Sequence, residues 1–296
     1  MLKSRLCIAF FAFAVGCAPA QKPLTDYVNP MLGTATLWDS VDLGFKPTKR
    51  TWGAEVFPGS SLPNAMVQVS PVTKFHSGAG YQYEDSVIYG FTHTNKGHWN
   101  LCHIPLLPVT GTPTPGDYCS PFSHERESAA PGYYQVFLDR YGVDAQLSST
   151  LRCAFHKYTY PAGAAASLLA DLQRSNEHVR AWDIRKEGDN VFAGWQQTGE
   201  KMYFYAVAVL PNMLDTQFAQ IVEGDREVRI VRFGEGDGAL ELRIGFSFVS
   251  EKNARENLEA EMLGKSFAEV RSEATATWND LLGRIRVEGG TERGKG

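Results

Sequence analysis

From about residue 25 to residue 250 the chain is a succession of short runs rich in β-branched and aromatic residues, cut at close intervals by glycine, proline, asparagine and aspartate. That rhythm leaves few folds open. Residues 66–70, 87–91 and 104–110 are such runs, each bounded by Gly or Pro. Residues 133–138 and 143–149 alternate about Asp139-Arg140-Tyr141-Gly142, which predicts a hairpin. Runs at 153–160, 167–171, 179–184, 191–197, 202–210, 228–233 and 240–247 continue the series, with turn signals at 188–190 and 234–238. A dozen short strands at this spacing predict a sandwich or barrel, and no βαβ alternation interrupts them.

The pattern changes after Phe248. Residues 252–285 are rich in Glu, Ala, Leu, Lys and Arg. Leu258, Met262, Phe267, Val270, Ala274, Trp278 and Leu281 recur at close to helical spacing. Ser250-Glu251-Lys252-Asn253 supplies a helix cap. One or two helices are therefore expected to leave the β region.

The first twenty residues read as a secretory signal. Lys3 and Arg5 precede an apolar run over 7–15, followed by Gly16-Cys17-Ala18-Pro19-Ala20. The run is too short to span a bilayer comfortably. Ala18-Pro19-Ala20 fits cleavage before Gln21; Ala14-Val15-Gly16-Cys17 fits a bacterial lipoprotein box with Cys17 lipidated. Either reading implies export, to the periplasm or the cell surface, with a membrane link only through Cys17. Cys102, Cys119 and Cys153 remain in the exported chain, an odd number that permits at most one internal pair. With 43% hydrophobic residues, the core rather than a disulfide framework supplies stability. The formal net charge of -4 lacks the basic excess that nucleic-acid partners require.

Residues 90–100, Gly-Phe-Thr-His-Thr-Asn-Lys-Gly-His-Trp-Asn, hold the densest chemistry. Two histidines, an indole, two amides, two hydroxyls and a lysine are present, and no carboxylate. A sugar ring has an apolar C–H face and a hydroxyl rim. Indoles suit the first; His, Asn, Thr and Lys suit the second. Trp52 and Trp99 are the expected platforms, with His93, Thr94, Asn95, His98 and Asn100 offering hydroxyl contacts. Trp182 and Trp195 sit mid-strand and are assigned to the core. His93, His98, Cys102 and His103 invite a test for a metal site, but they match no familiar zinc spacing, and a strand would point Cys102 and His103 to opposite faces. There is no Gly-x-Ser-x-Gly elbow. Ser123-His124-Glu125 reads as an ordinary surface turn, since catalytic groups assemble in space rather than in sequence. No residue here is assigned as general acid or base.

Several segments taken together resemble a known family. These are Tyr27-Val28-Asn29-Pro30-Met31-Leu32-Gly33-Thr34, Phe57-Pro58-Gly59, Pro63-Asn64-Ala65-Met66-Val67-Gln68-Val69-Ser70-Pro71, Gly80-Tyr81-Gln82-Tyr83, Gly90-Phe91-Thr92-His93-Thr94, Phe122-Ser123-His124-Glu125 and Pro131-Gly132-Tyr133-Tyr134. In this order they resemble glycoside hydrolase family 92, the exo-acting α-mannosidases. The resemblance implies a galactose-mutarotase-like β-supersandwich over 25–250. Linker helices over 251–296 would then lead to an (α/α)6 catalytic barrel beyond this chain. It further implies calcium-dependent hydrolysis of terminal α-mannosides of glycans, with inversion. The carboxylates and most calcium ligands would then lie on the barrel, and this chain would contact the sugar without cutting it. The alternative is a stand-alone carbohydrate-binding protein at the cell surface. After the matching Gly-Phe-Thr-His-Thr, the continuation Asn95-Lys96-Gly97-His98-Trp99-Asn100 departs from the small residues usual in the family, which leaves the linkage preference open.

Overall fold

The computed structural model describes residues 22–37, 44–46, 55–96, 100–211, 216–235, 238–285 and 289. The expected leader, Trp38, Trp52, His98 and Trp99 lie outside the described residues, as does the side chain of Asn100.

Among the described residues the first strands are β1 (Ser60–Ser61), β2 (Gln68–Val72), β3 (Val87–Ile88), β4 (Gly90–Thr92), β5 (Asn95–Lys96), β6 (Asn100–Leu101), β7 (Leu106–Val109), β8 (Ser120–Pro121) and β9 (Glu127–Ala130). Next come β10 (Tyr133–Leu138), β11 (Val143–Ser149), β12 (Cys153–Thr159), β13 (Ala165–Ala170) and β14 (Ala181–Gly188). The last are β15 (Val191–Gln197), β16 (Lys201–Val209), β17 (Gln217–Glu223), β18 (Arg226–Glu235) and β19 (Ala239–Ser247). One sheet has seven strands in the order β1-β2-β4-β7-β13-β18-β17, and the other has eight in the order β14-β15-β16-β19-β12-β11-β10-β9. Every recorded pairing is antiparallel, including the expected hairpin β10–β11, where Leu138 faces Val143. The fold is mainly β, as the turn rhythm predicts.

Alternation drives the layering. In β16, Met202, Phe204, Ala206 and Ala208 are buried, while Tyr203, Tyr205 and Val207 between them are half-buried. The inward set joins Phe192, Leu240, Leu242, Ile244 and Phe246, and meets Leu168, Ile230 and Phe233 of the facing sheet in one core. A strand's side-chain period of two makes both faces of the eight-stranded sheet available for burial.

The outer face is covered by two helices, α1 (Glu251–Glu261) and α2 (Phe267–Leu282). Ser250 caps α1 by accepting from the Asn253 amide, and Ser266 with Glu269 forms a capping box on α2. A second apolar cluster joins Tyr133, Cys153 and Phe155 of the sheet to Leu258, Met262, Phe267 and Val270 of the helices. Burying its larger side chains stabilises the seam by roughly 1.5–3 kcal/mol each. Arg152 Nε donates to Glu261 at 2.5 Å, tying the end of α1 to the β11–β12 turn. Trp278 Nε1 donates to the Ser61 carbonyl at 2.7 Å, fixing α2 against β1.

Two expectations change. Trp182 and Trp195 are half-buried rather than core residues, because they stand near the exposed edge strand β14 and on its neighbour β15; the ammonium of Lys201 lies 3.9 Å from the Trp195 ring centroid. Cys102, Cys119 and Cys153 are all free thiols.

Candidate functional site

Segments far apart in sequence converge on the buried carboxylate of Glu127, whose side chain is 0% exposed. It accepts from the Tyr81 hydroxyl at 3.0 Å, from the Tyr134 hydroxyl at 2.5 Å and from His124 Nδ1 at 2.5 Å. His124 Nε2 lies 2.7 Å from the Tyr83 carbonyl oxygen. A carbonyl and a carboxylate only accept, so both ring nitrogens carry hydrogen and the contact with Glu127 is an ion pair. The His124 ring stacks on Tyr83 with centroids 3.9 Å apart and planes 4° apart. Burial and the neighbouring Glu127 charge drive the Tyr81 and Tyr134 hydroxyls far above the ordinary tyrosine range, so both stay donors.

This cluster anchors the N-terminal loop. Asn29 Oδ1 accepts from the Met31 amide at 3.0 Å, and Thr34 Oγ1 donates to the Met31 carbonyl at 2.8 Å, closing a tight turn. The Tyr83 amide then donates to the Thr34 carbonyl at 3.2 Å, and the Thr36 amide to Glu84 Oε1 at 2.6 Å. Gly80 sits at φ +86 beside Cys102, whose sulfur would stand 2.8 Å from any Cβ placed there. Only glycine keeps that approach without displacement.

A second polar frame carries the loop of residues 90–100. β5 and β6 pair across the undescribed tip, with Lys96 opposite Asn100. Beneath them His93, Thr94 and Asn95 are only 0–2% exposed. The expectation that these three side chains offer hydroxyl contacts is therefore corrected: the sandwich closes over them. Asn95 Nδ2 donates to the Gln68 carbonyl at 2.9 Å, and its Oδ1 accepts from Thr92 Oγ1 at 2.9 Å. His93 Nε2 lies 3.0 Å from His156 Nε2, one neutral ring donating to the other. Thr198 Oγ1 donates to Glu177 at 2.6 Å, so it accepts from His103 Nε2, and Thr94 Oγ1 in turn donates to His103 Nδ1 at 2.7 Å. Burial lowers His93 to about 3 and His103 to about 4, and takes His156 well below the usual imidazole value. All three rings are neutral.

The backbone here is strained. His76, Leu101, Cys102 and Ile104 have φ between 55 and 67 without being glycine. That region disfavours any Cβ, and a β-branched Ile most of all. Strain of this kind persists only where surrounding bonds over-determine it, and it gathers at functional sites. The bonds are present. Ser175 Oγ and the Asn176 amide both donate to the Leu101 carbonyl, at 2.6 and 3.0 Å. Gln196 Oε1 accepts from the Ile104 amide at 2.7 Å. The loop of residues 97–99 thus springs from a rigid, internally bonded base.

The turn reading of Ser123-His124-Glu125 holds in form, since His124–Arg126 is a 3-10 turn capped by Ser123. Its contribution is larger than a surface turn's, because His124 pins Tyr83. Glu127, His103, Asn176 and Gln196 escape a motif reading. The available signal is a carboxylate three residues after His124, with tyrosines at 81 and 134 to donate to it.

A calcium ion of the kind the resemblance implies does not fit these residues: among the described residues no three of His, Cys, Asp and Glu are grouped to hold a metal ion. No helix among them is long and apolar enough to cross a membrane.

Comparison with known proteins agrees with this arrangement. The glycosyl hydrolase family 92 N-terminal domain matches residues 27–247, and the family's catalytic domain matches residues 253–295. An uncharacterised secreted glycosidase of Arthroderma benhamiae is 24% identical over 89% of this chain and 38% of its own length. A family GH92 α-mannosidase from Bacteroides thetaiotaomicron superposes with a TM-score of 0.78 at 25% identity, covering 93% of this chain and 40% of that enzyme. A family GH92 inverting mannosidase of the same species gives 0.75 at 23% identity, over 91% and 37%. The chain spans about two fifths of the length of these relatives. The segments that meet around Glu127 and at the base of the 97–99 loop fall inside the matched N-terminal domain, and on that match the chain belongs to glycosyl hydrolase family 92.

Proposed function

We propose that this chain is the carbohydrate-contacting N-terminal domain of an exported α-mannosidase that hydrolyses terminal α-mannosides of glycans with inversion. The observation that carries the reading is the convergence of the family-like segments at 27–34, 80–83, 122–125 and 131–134 on Glu127. A network that fixes two loops to one another without presenting a reactive carboxylate suits substrate positioning rather than proton transfer. Trp52 and Trp99 are the proposed walls of the mannose pocket, with His98 and Asn100 as hydroxyl partners. His93, Thr94 and Asn95 hold that loop from beneath. The general acid and base belong to an (α/α)6 domain that follows α2. Inversion requires the two carboxyl groups about 6.5–9.5 Å apart, with a water between base and sugar. Calcium, where required, takes its ligands from the same domain. Export follows from the leader, to the periplasm or the cell surface, with Cys17 as the candidate lipid anchor.

The test uses the full-length gene product and the chain ending at Gly296. The full-length protein is expected to release mannose from α-mannosides, appearing first as the β-anomer by NMR. Trp99→Ala should lower its kcat/KM at least about tenfold, the scale of a lost stacking contact in a closed pocket. The chain ending at Gly296 should release none. Failure of the full-length protein to cleave any α-mannoside overturns the function. Turnover by the shorter chain overturns the division of labour.

A further inference from the structure

A groove of about 1240 Å³ opens where the loop after β2, the segment from Glu84 to Tyr89, the loop between β13 and β14, and the β17–β18 turn come together. Its floor is aromatic. Phe75, Tyr89 and Trp182 line it, all half-buried. Its walls are charged and held in place. The Arg174 guanidinium lies 5.2 Å from the Tyr89 ring centroid and 5.5 Å from that of Phe75. The fully buried Asp171 anchors it at 3.6 Å and anchors Arg226 at 2.7 Å, while also accepting from the Tyr118 hydroxyl at 2.6 Å. Arg229 lies 5.1 Å from the Trp182 ring centroid.

Size and charge select the ligand. The volume exceeds the roughly 300–1,000 Å³ of sites for single small molecules, so the groove suits an oligomer. Five Lys and Arg side chains are balanced by six Asp and Glu, which disfavours nucleic acid and polyanions alike. Charged groups outnumber the aromatic rings, which disfavours a lipid. Aromatic faces between planar charged groups match the alternation of C–H faces and hydroxyl pairs along a neutral oligosaccharide. The groove is also continuous with the family-like loops: Glu84 lines it and accepts from the Thr36 amide, and Thr73 lines it and donates to Asp85 at 2.9 Å.

We infer that this groove binds a neutral oligosaccharide, so that the protein takes long glycans in preference to short mannosides. The inference rests on the mannoside reading above for the identity of the sugar, and on this geometry for the existence of the site.

The experiment titrates the full-length protein calorimetrically with a long α-linked manno-oligosaccharide and with methyl α-mannoside, and measures turnover of an aryl α-mannoside. The oligosaccharide is expected to bind saturably. Trp182→Ala should weaken it about tenfold and leave aryl mannoside turnover unchanged. Because Trp182 also packs on the core, Arg180→Ala and His178→Ala, both at exposed lining positions, serve as second variants and should weaken binding severalfold with Tm unchanged. Oligosaccharide affinity equal to wild type in all three variants overturns the groove, as does an acidic oligosaccharide binding more tightly than the neutral one. Aryl mannoside turnover with no groove-dependent binding sinks only this inference. Groove-dependent binding with no turnover of any α-mannoside sinks only the mannosidase reading.

Discussion

At the scale of single residues, the candidate site is a matter of which polar groups the fold seals. His93, His103 and His156 are buried and neutral, each with a folded value well under the ordinary 6.5. A depressed imidazole binds fewer protons folded than unfolded. Its contribution is therefore intact above about 6.5 and is lost progressively as pH falls toward the folded value. Each ring adds a slope of up to about 1.4 kcal/mol per pH unit in that window. The expected outcome is a Tm that falls steadily between pH 6.5 and pH 4, and falls less steeply in His156→Gln; calorimetric melts across that range check it. The sequence names His93, Thr94 and Asn95 by chemistry correctly, as groups able to hold hydroxyls. It could not say that their partners would be internal, because His156 stands 63 residues from His93 and Thr198 95 residues from His103.

At the scale of elements, local pattern was legible and pairing was not. The alternation of residues 202–210 and 240–247 identifies β16 and β19, and the capped helical spacing after Phe248 identifies α1 and α2. That β19 lies between β16 and β12 depends on long-range register, with Phe204 opposite Phe246 and Phe155 opposite Arg243. Gly245 shows what such packing demands. A Cβ there would stand 2.1 Å from the Ala254 carbonyl oxygen and 2.8 Å from Leu258 Cβ. Gly245→Ala must therefore push α1 off the sheet. Overpacking of this kind costs roughly 1–3 kcal/mol, so Tm should drop by several degrees with the β-sheet circular dichroism retained. A thermal melt unchanged from wild type would contradict the close approach. The strand β17 escapes sequence reading because its side chains are half-buried or exposed throughout, which blurs the alternation that marks β16.

At the scale of the whole molecule, the helices are part of the sandwich's stability rather than an appended linker. The second apolar cluster exists only while α1 and α2 cover Tyr133, Cys153 and Phe155. Arg271 sits 3.6 Å over the Tyr133 ring and Arg243 4.4 Å over Phe155, finishing the seam. A chain ending at Ser250 should thus expose an apolar face and associate, with a lower Tm; light scattering and melting of the shortened chain against the 296-residue chain check it. Local pattern by itself determined the β-rich class, the helical tail, the leader and, through segments with no visible relation to one another, the family. Only tertiary structure decided that those segments meet around Glu127, that three expected ligand contacts are sealed beneath a strained loop, and that Trp182 lines a groove instead of filling the core. The physical reason is that periodicity fixes which way a side chain points along its own strand, whereas burial is set by what distant segments place over it.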